Sequence, residues 1–82
     1  MDINDIFEFI ITEISGLTLN DASSVGLSSN WYELGMDSVE ILGLACSIED
    51  KLKINISEET MIDNCTVTDL ARHIHLTISQ IV

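Results

Sequence analysis

Apolar residues recur at helical spacing in three stretches of the chain, separated by polar segments of unequal length. In the first, Ile3, Ile6, Phe7, Ile10, Ile14 and Leu17 form one stripe, with Asp2, Asp5, Glu8 and Glu13 mostly elsewhere. The pattern predicts a helix from about Ile3 to Ser15, stopped by Ser15-Gly16. Phe9 and Ile11 fall off that stripe. A second helix is predicted from Ser38 to about Leu52, with Ile41, Leu44, Ala45, Ile48 and Leu52 as its apolar stripe. Val39, Leu42 and Cys46 form a second stripe beside it, and Leu42, at the border, is expected to pack with the core. Gly43 and Ser47 are expected on the exposed side with Glu40 and Asp50. Lys51 and Lys53 suit the negative end of this helix. A third long helix opens at Thr66, with Val67, Leu70, Ala71, Ile74, Ile78 and Ile81 in register.

Between the first two helices, from Thr18 to Gly35, no period is sustained, and Asn20, Asp21, Ser23, Ser24, Gly26, Ser28, Ser29 and Asn30 mark a long loop. Leu19, Val25, Leu27, Trp31 and Leu34 are the residues available to pin it to the helices, with Trp31 read as a core plug rather than a ligand contact. After the second helix, Ile54-Asn55-Ile56 alternates as an extended link. Ser57 then caps a short helix from about Glu58 to Ile62, to which Met61 and Ile62 contribute apolar side chains. The expectation is an all-α four-helix bundle: three longer helices, one short, and a long loop between the first two.

The stretch with chemical promise is Leu34-Gly35-Met36-Asp37-Ser38-Val39-Glu40. Asp37 is a good N-cap, and Glu40 stands where a capping-box acid belongs. Ser38 is then the first residue of a helix, with an exposed hydroxyl at the positive end of the helix dipole, a place that favours phosphate.

Composition narrows the function. The chain has 82 residues, enough for one domain, 1–82, with one modest core and too few to enclose an elaborate active site. Fourteen acidic residues against three basic ones give a formal net charge of −11. That charge disfavours nucleic acid and anionic membrane surfaces and favours partners with basic patches. A 46% hydrophobic content argues for a folded chain despite the charge. Two cysteines, Cys46 and Cys65, make no disulfide framework, and no leader or membrane-length apolar run is visible; a reduced cytoplasmic protein is expected. Met1 and the short tail read as a free-standing protein, although an excised domain given a start codon reads the same way.

Other chemistry fails on spacing. His73 and His75 are two apart on a helix and cannot share a metal. The elbow of a serine hydrolase needs glycines where Met36 and Glu40 stand. The run from Asn20 to Val25 lacks the alternating ligands of a calcium loop, and Gly26 and Gly43 are isolated rather than part of a phosphate loop.

Gly-x-Asp-Ser followed by an apolar residue, at the start of a central helix in a small acidic chain with this helix order, resembles the acyl carrier proteins, and the resemblance covers nearly the whole chain. It implies a non-enzymatic carrier with 4′-phosphopantetheine on Ser38, holding acyl groups as thioesters for enzymes of fatty-acid, polyketide or related specialised biosynthesis. It implies a phosphopantetheinyl transferase, using coenzyme A and magnesium, as first partner, with Asp37 helping to bind both metal and transferase. Acyl-loading, condensing, tailoring or releasing enzymes with basic docking patches follow, and the carrier is expected to be a monomer. Met36, Val39, Glu40 and Cys46 are the candidate docking residues, with Cys46 alternatively a small buried hydrophobe. Many fatty-acid carriers have leucine where this chain has Val39 and carry more acid along the central helix, which points to a dedicated carrier in a specialised pathway. The alternatives are a peptidyl or aminoacyl carrier, and a carrier-like helical module that binds partners unmodified.

Overall fold

A computed structural model describes residues 2–19 and 21–81, without the side chains of Ala22 and Ile81, so the predicted loop marker Asn20, the stripe position Ile81 and Met1 fall outside the description. The expected all-α bundle is present. Helix α1 spans Ile3–Thr18, α2 Ser38–Leu52, α3 Glu58–Asp63 and α4 Val67–Ile81, with one turn of 3₁₀-helix at Ala22–Ser24 in the long loop. α1 packs on both α4 and α2, and α3 leans on α2.

The helical stripes are the core. Ile6, Ile10 and Ile14 of α1 meet Ile41, Leu44, Ala45 and Ile48 of α2 and Val67, Leu70, Ala71 and Ile74 of α4 in one buried cluster. Each large aliphatic side chain removed from water contributes about 1.5–3 kcal/mol, so the three stripes outweigh any single cap. The link after α2 buries Ile54 and Ile56 and exposes Asn55, as its alternation predicts, and Ile56 N–H donates to Glu49 Oε2 at 3.0 Å. Phe7 and Ile11 pack against the cluster from its edge.

Five predictions need correction. Ser15-Gly16 does not stop α1, which continues to Thr18 and is capped by Leu19 in the left-handed region at φ 60. A glycine ends a helix when it takes the positive φ, and here Leu19 takes it. That role turns the Leu19 side chain out to 92% exposure, so it does not pin the loop. Leu42 is 46% exposed and does not join the core, because Ile41 and Ala45 already fill the inward arc of α2. Gly43 faces α1 rather than solvent: a Cβ there would lie 3.9 Å from Leu17 Cδ2. Ser47 is likewise half-buried.

The long loop is ordered by specific bonds. Thr68 donates from both its N–H and its Oγ1 to the Leu27 carbonyl, at 3.2 and 3.1 Å, tying the loop to the start of α4. Asn30 and Glu33 exchange bonds, Asn30 N–H to Glu33 Oε1 at 3.1 Å and Glu33 N–H to Asn30 Oδ1 at 2.9 Å. Their turn delivers Trp31 into the core and leads through Gly35, at φ +86, to the start of α2. That φ is cheap for glycine and strained for other residues.

Candidate functional site

The site is assembled where the long loop becomes α2. Asp37 has an extended backbone, and its Oδ1 accepts from Glu40 N–H at 2.8 Å while Glu40 Oε1 accepts from Asp37 N–H at 3.1 Å. This reciprocal cap satisfies two otherwise orphaned donors and fixes where the helix begins. It is the capping box that the spacing of Asp37 and Glu40 predicts. Ser38 follows as the first helical residue and is exposed. Its hydroxyl is thus presented by a rigid element, next to backbone dipoles that favour a negative group.

Beside Ser38 lies a groove of about 280 Å³ between α2 and α3. Trp31 and Met61 form its buried base, Leu42, Ile62 and Tyr32 stand exposed at its mouth, and Cys65 and the Glu58 carboxylate complete the wall. At its base a buried bond ties the loop to α3, Trp31 Nε1–H donating to the Met61 carbonyl at 2.9 Å. Ser57, whose Oγ accepts from Thr60 N–H at 3.1 Å, caps the short helix that forms the far side.

The candidate docking residues separate. Val39 is 76% exposed and Cys46 is exposed, both on the outward side of α2. Glu40 is half-buried and engaged in the cap. Met36 is not on this surface: it is 2% exposed, and its N–H donates to the Trp31 carbonyl at 3.0 Å. The reversal at Gly35 folds its side chain inward, so Met36 belongs to the core. Sequence reasoning missed Tyr32 and placed Ile62 only as an apolar contribution to its helix; it is 66% exposed. No periodic pattern marks Tyr32, because it sits in a loop. His73 and His75 are both half-buried on α4, and no cluster of metal-ligating side chains occurs among the described residues. No helix among those residues is long and apolar enough to cross a membrane.

Comparison with known proteins gives the same answer from other evidence. Residues 8–74 match the family model described as a phosphopantetheine attachment site. An acyl carrier protein of Onion yellows phytoplasma (strain OY-M) is 36% identical over 70 residues, 84% of this chain and 92% of that one. An acyl carrier protein of Phaeodactylum tricornutum is 34% identical over 55 residues, 66% of this chain and 72% of that one. Among solved structures, a free-standing peptidyl carrier protein from an Acinetobacter baumannii secondary metabolic pathway superposes with a TM-score of 0.88 at 18% identity, covering 94% of this chain and 96% of that one. BlmI, a type-II acyl carrier protein from Streptomyces verticillus involved in bleomycin biosynthesis, gives 0.83 at 20% identity, covering 93% and 89%. These structural likenesses establish the fold. The chain belongs to the acyl carrier protein family, whose members are carriers rather than enzymes and bear a 4′-phosphopantetheine prosthetic group.

The residues present fit such a group. A phosphodiester on Ser38 would stand at the α2 N-terminus in solvent, and the groove beside it offers apolar walls within reach of a flexible arm.

Proposed function

We propose that Ser38 is the attachment residue, and that the chain is a single-domain carrier serving a dedicated polyketide or related specialised pathway. The observation that carries the assignment is the capped, exposed Ser38 at the first position of α2, bordered by an apolar groove. When bound, 4′-phosphopantetheine supplies a flexible arm whose terminal thiol holds acyl groups as thioesters.

The chain's own residues do the remaining work. Ser38 supplies the hydroxyl that is modified. Asp37 keeps that hydroxyl at a defined helix start and adds a carboxylate beside it for the magnesium of the transferase. Val39, Leu42, Cys46 and Ile62 form an exposed apolar surface around Ser38, against which partner enzymes dock. Between Ser38 and Ile48, Glu40 is the single acid of α2, so docking there leans more on apolar contact than on charge along the helix. This surface supports a specialised pathway over a housekeeping fatty-acid carrier. Glu58, Glu59 and Asp63 of α3 put acid at its margin, which suits a basic rim on the partner. Transfer of phosphopantetheine from coenzyme A, mapped to one tryptic peptide by mass spectrometry, tests the attachment; parallel loading with acyl and aminoacyl donors tests the pathway class.

A further inference from the structure

Another groove is lined by residues other than those of the Ser38 site, and the carrier role does not use it. It has a volume of about 390 Å³ and is lined by Asp5, Glu8, Phe9, Thr12, Glu13 and Lys51. Its one aromatic lining residue is Phe9, which belongs neither to the core stripe of α1 nor to the set of side chains packed around the core. Asp5 stands one turn before Phe9 on the same helix and Glu13 one turn after it, so an aromatic ring is bracketed by two carboxylates. Glu8 adds a third. The Thr12 hydroxyl is already donated to the Glu8 carbonyl at 2.8 Å. Among the described residues the one ion pair is Lys53–Asp50 at 3.9 Å, so no groove carboxylate is paired with Lys51 at contact distance. Lys51 is thirteen residues along α2 from Ser38, about 20 Å at the helical rise.

We infer that this groove is a second docking site, taking an arginine-bearing segment of a partner protein while the Ser38 face stays free. Guanidinium is the group whose chemistry matches the lining: it is planar and stacks on an aromatic face, and its donors meet carboxylates on either side. The charge is complementary, with three carboxylates against one ammonium in the groove and −11 over the chain. A segment seated there would hold the carrier by one face while the other meets a sequence of enzymes.

The site does not depend on modification of Ser38, so it is tested on the unmodified protein. The probe is a short amidated helical peptide with arginines on one face between leucines, titrated into isotope-labelled protein and followed by amide chemical shifts. The shifts are expected to localise to residues 5–13 and Lys51. Binding is expected to weaken about tenfold in Phe9→Ala and in the double variant Asp5→Asn/Glu13→Gln, and by less than twofold in the charge-matched control Asp21→Asn/Asp69→Asn, two exposed acids that line neither groove. Because the double variant alters only surface polar groups, it keeps the test valid if Phe9→Ala perturbs α1. The inference is overturned if the shifts centre on Val39, Cys46 and Ile62, if the control weakens binding as much as the groove variant, if no binding occurs up to millimolar peptide, or if sedimentation without peptide shows the groove occupied by a second copy.

Discussion

Trp31 Nε1–H donates to the Met61 carbonyl oxygen at 2.9 Å, across thirty residues of sequence, with both side chains withdrawn from solvent. This bond joins the long loop to α3, and these two segments form the groove wall facing α2 beside Ser38. Removing the donor while keeping an aromatic ring, Trp31→Phe, leaves a buried carbonyl without its partner and is expected to cost about 1–3 kcal/mol. Trp31→Ala adds a cavity and is expected to cost about 3–5 kcal/mol. Urea unfolding followed by far-UV circular dichroism gives both values. Equal stability of Trp31→Phe and the parent would remove this bond from the account.

The glycines divide by backbone conformation. Gly16 and Gly43 lie inside helices, and an added Cβ meets nothing within 4 Å at Gly16 and only Leu17 Cδ2 at 3.9 Å at Gly43. Gly→Ala at either position is expected to stabilise by up to about 1 kcal/mol. Gly35 has φ +86, and Gly35→Ala is expected to destabilise by about 1–2 kcal/mol. Thermal melts of the three variants should therefore shift in opposite directions.

A net charge of −11 sits on a molecule only 34 × 23 × 20 Å across. At about 0.01 M ionic strength the screening length, about 30 Å, is comparable to the size of the protein, whereas at 0.15 M it is about 8 Å. Self-repulsion among the carboxylates is then screened, and the melting temperature is expected to rise with sodium chloride and more steeply with magnesium chloride. An unchanged melting temperature over that range would contradict this reading.

Val39 is 76% exposed, so its stability and docking roles separate. Val39→Asp is expected to change unfolding free energy by less than about 0.5 kcal/mol. If Val39 is a contact residue, the same substitution lowers kcat/KM of a partner enzyme toward the carrier by tenfold or more, since truncating an interface anchor costs above about 1 kcal/mol. Denaturation and transfer kinetics on one preparation decide it. Unchanged kinetics would place docking elsewhere.

Sequence and structure agree where local chemistry and periodicity point the same way. The start of α2 was legible because one residue spacing, Asp37 to Glu40, encodes two reciprocal bonds. The core was legible because Ile6, Ile10 and Ile14, and Leu70, Ala71 and Ile74, repeat at helical intervals. What was not legible lies in segments without a period. Met36 reads as a loop residue beside the serine, yet the turn at Gly35 and the bond from its N–H to Trp31 bury it. Leu19 reads as a loop anchor, yet the left-handed cap of α1 exposes it. The groove by Ser38 depends on Trp31 meeting Met61, a pairing that no local pattern announces. Gly43 reads as a residue of the open side of α2, and only Leu17, on an α1 that runs past Gly16 to Thr18, shows that it faces α1.

The central claim is that Ser38 carries the prosthetic group. The direct measurement is the intact mass of the purified protein after incubation with coenzyme A, magnesium and a broad-specificity phosphopantetheinyl transferase, beside a Ser38→Ala variant treated identically. The account predicts one phosphopantetheine added to the parent, mapped to the peptide containing Ser38, and none added to a folded Ser38→Ala. Modification of the variant, or a parent protein that stays unmodified, would contradict it.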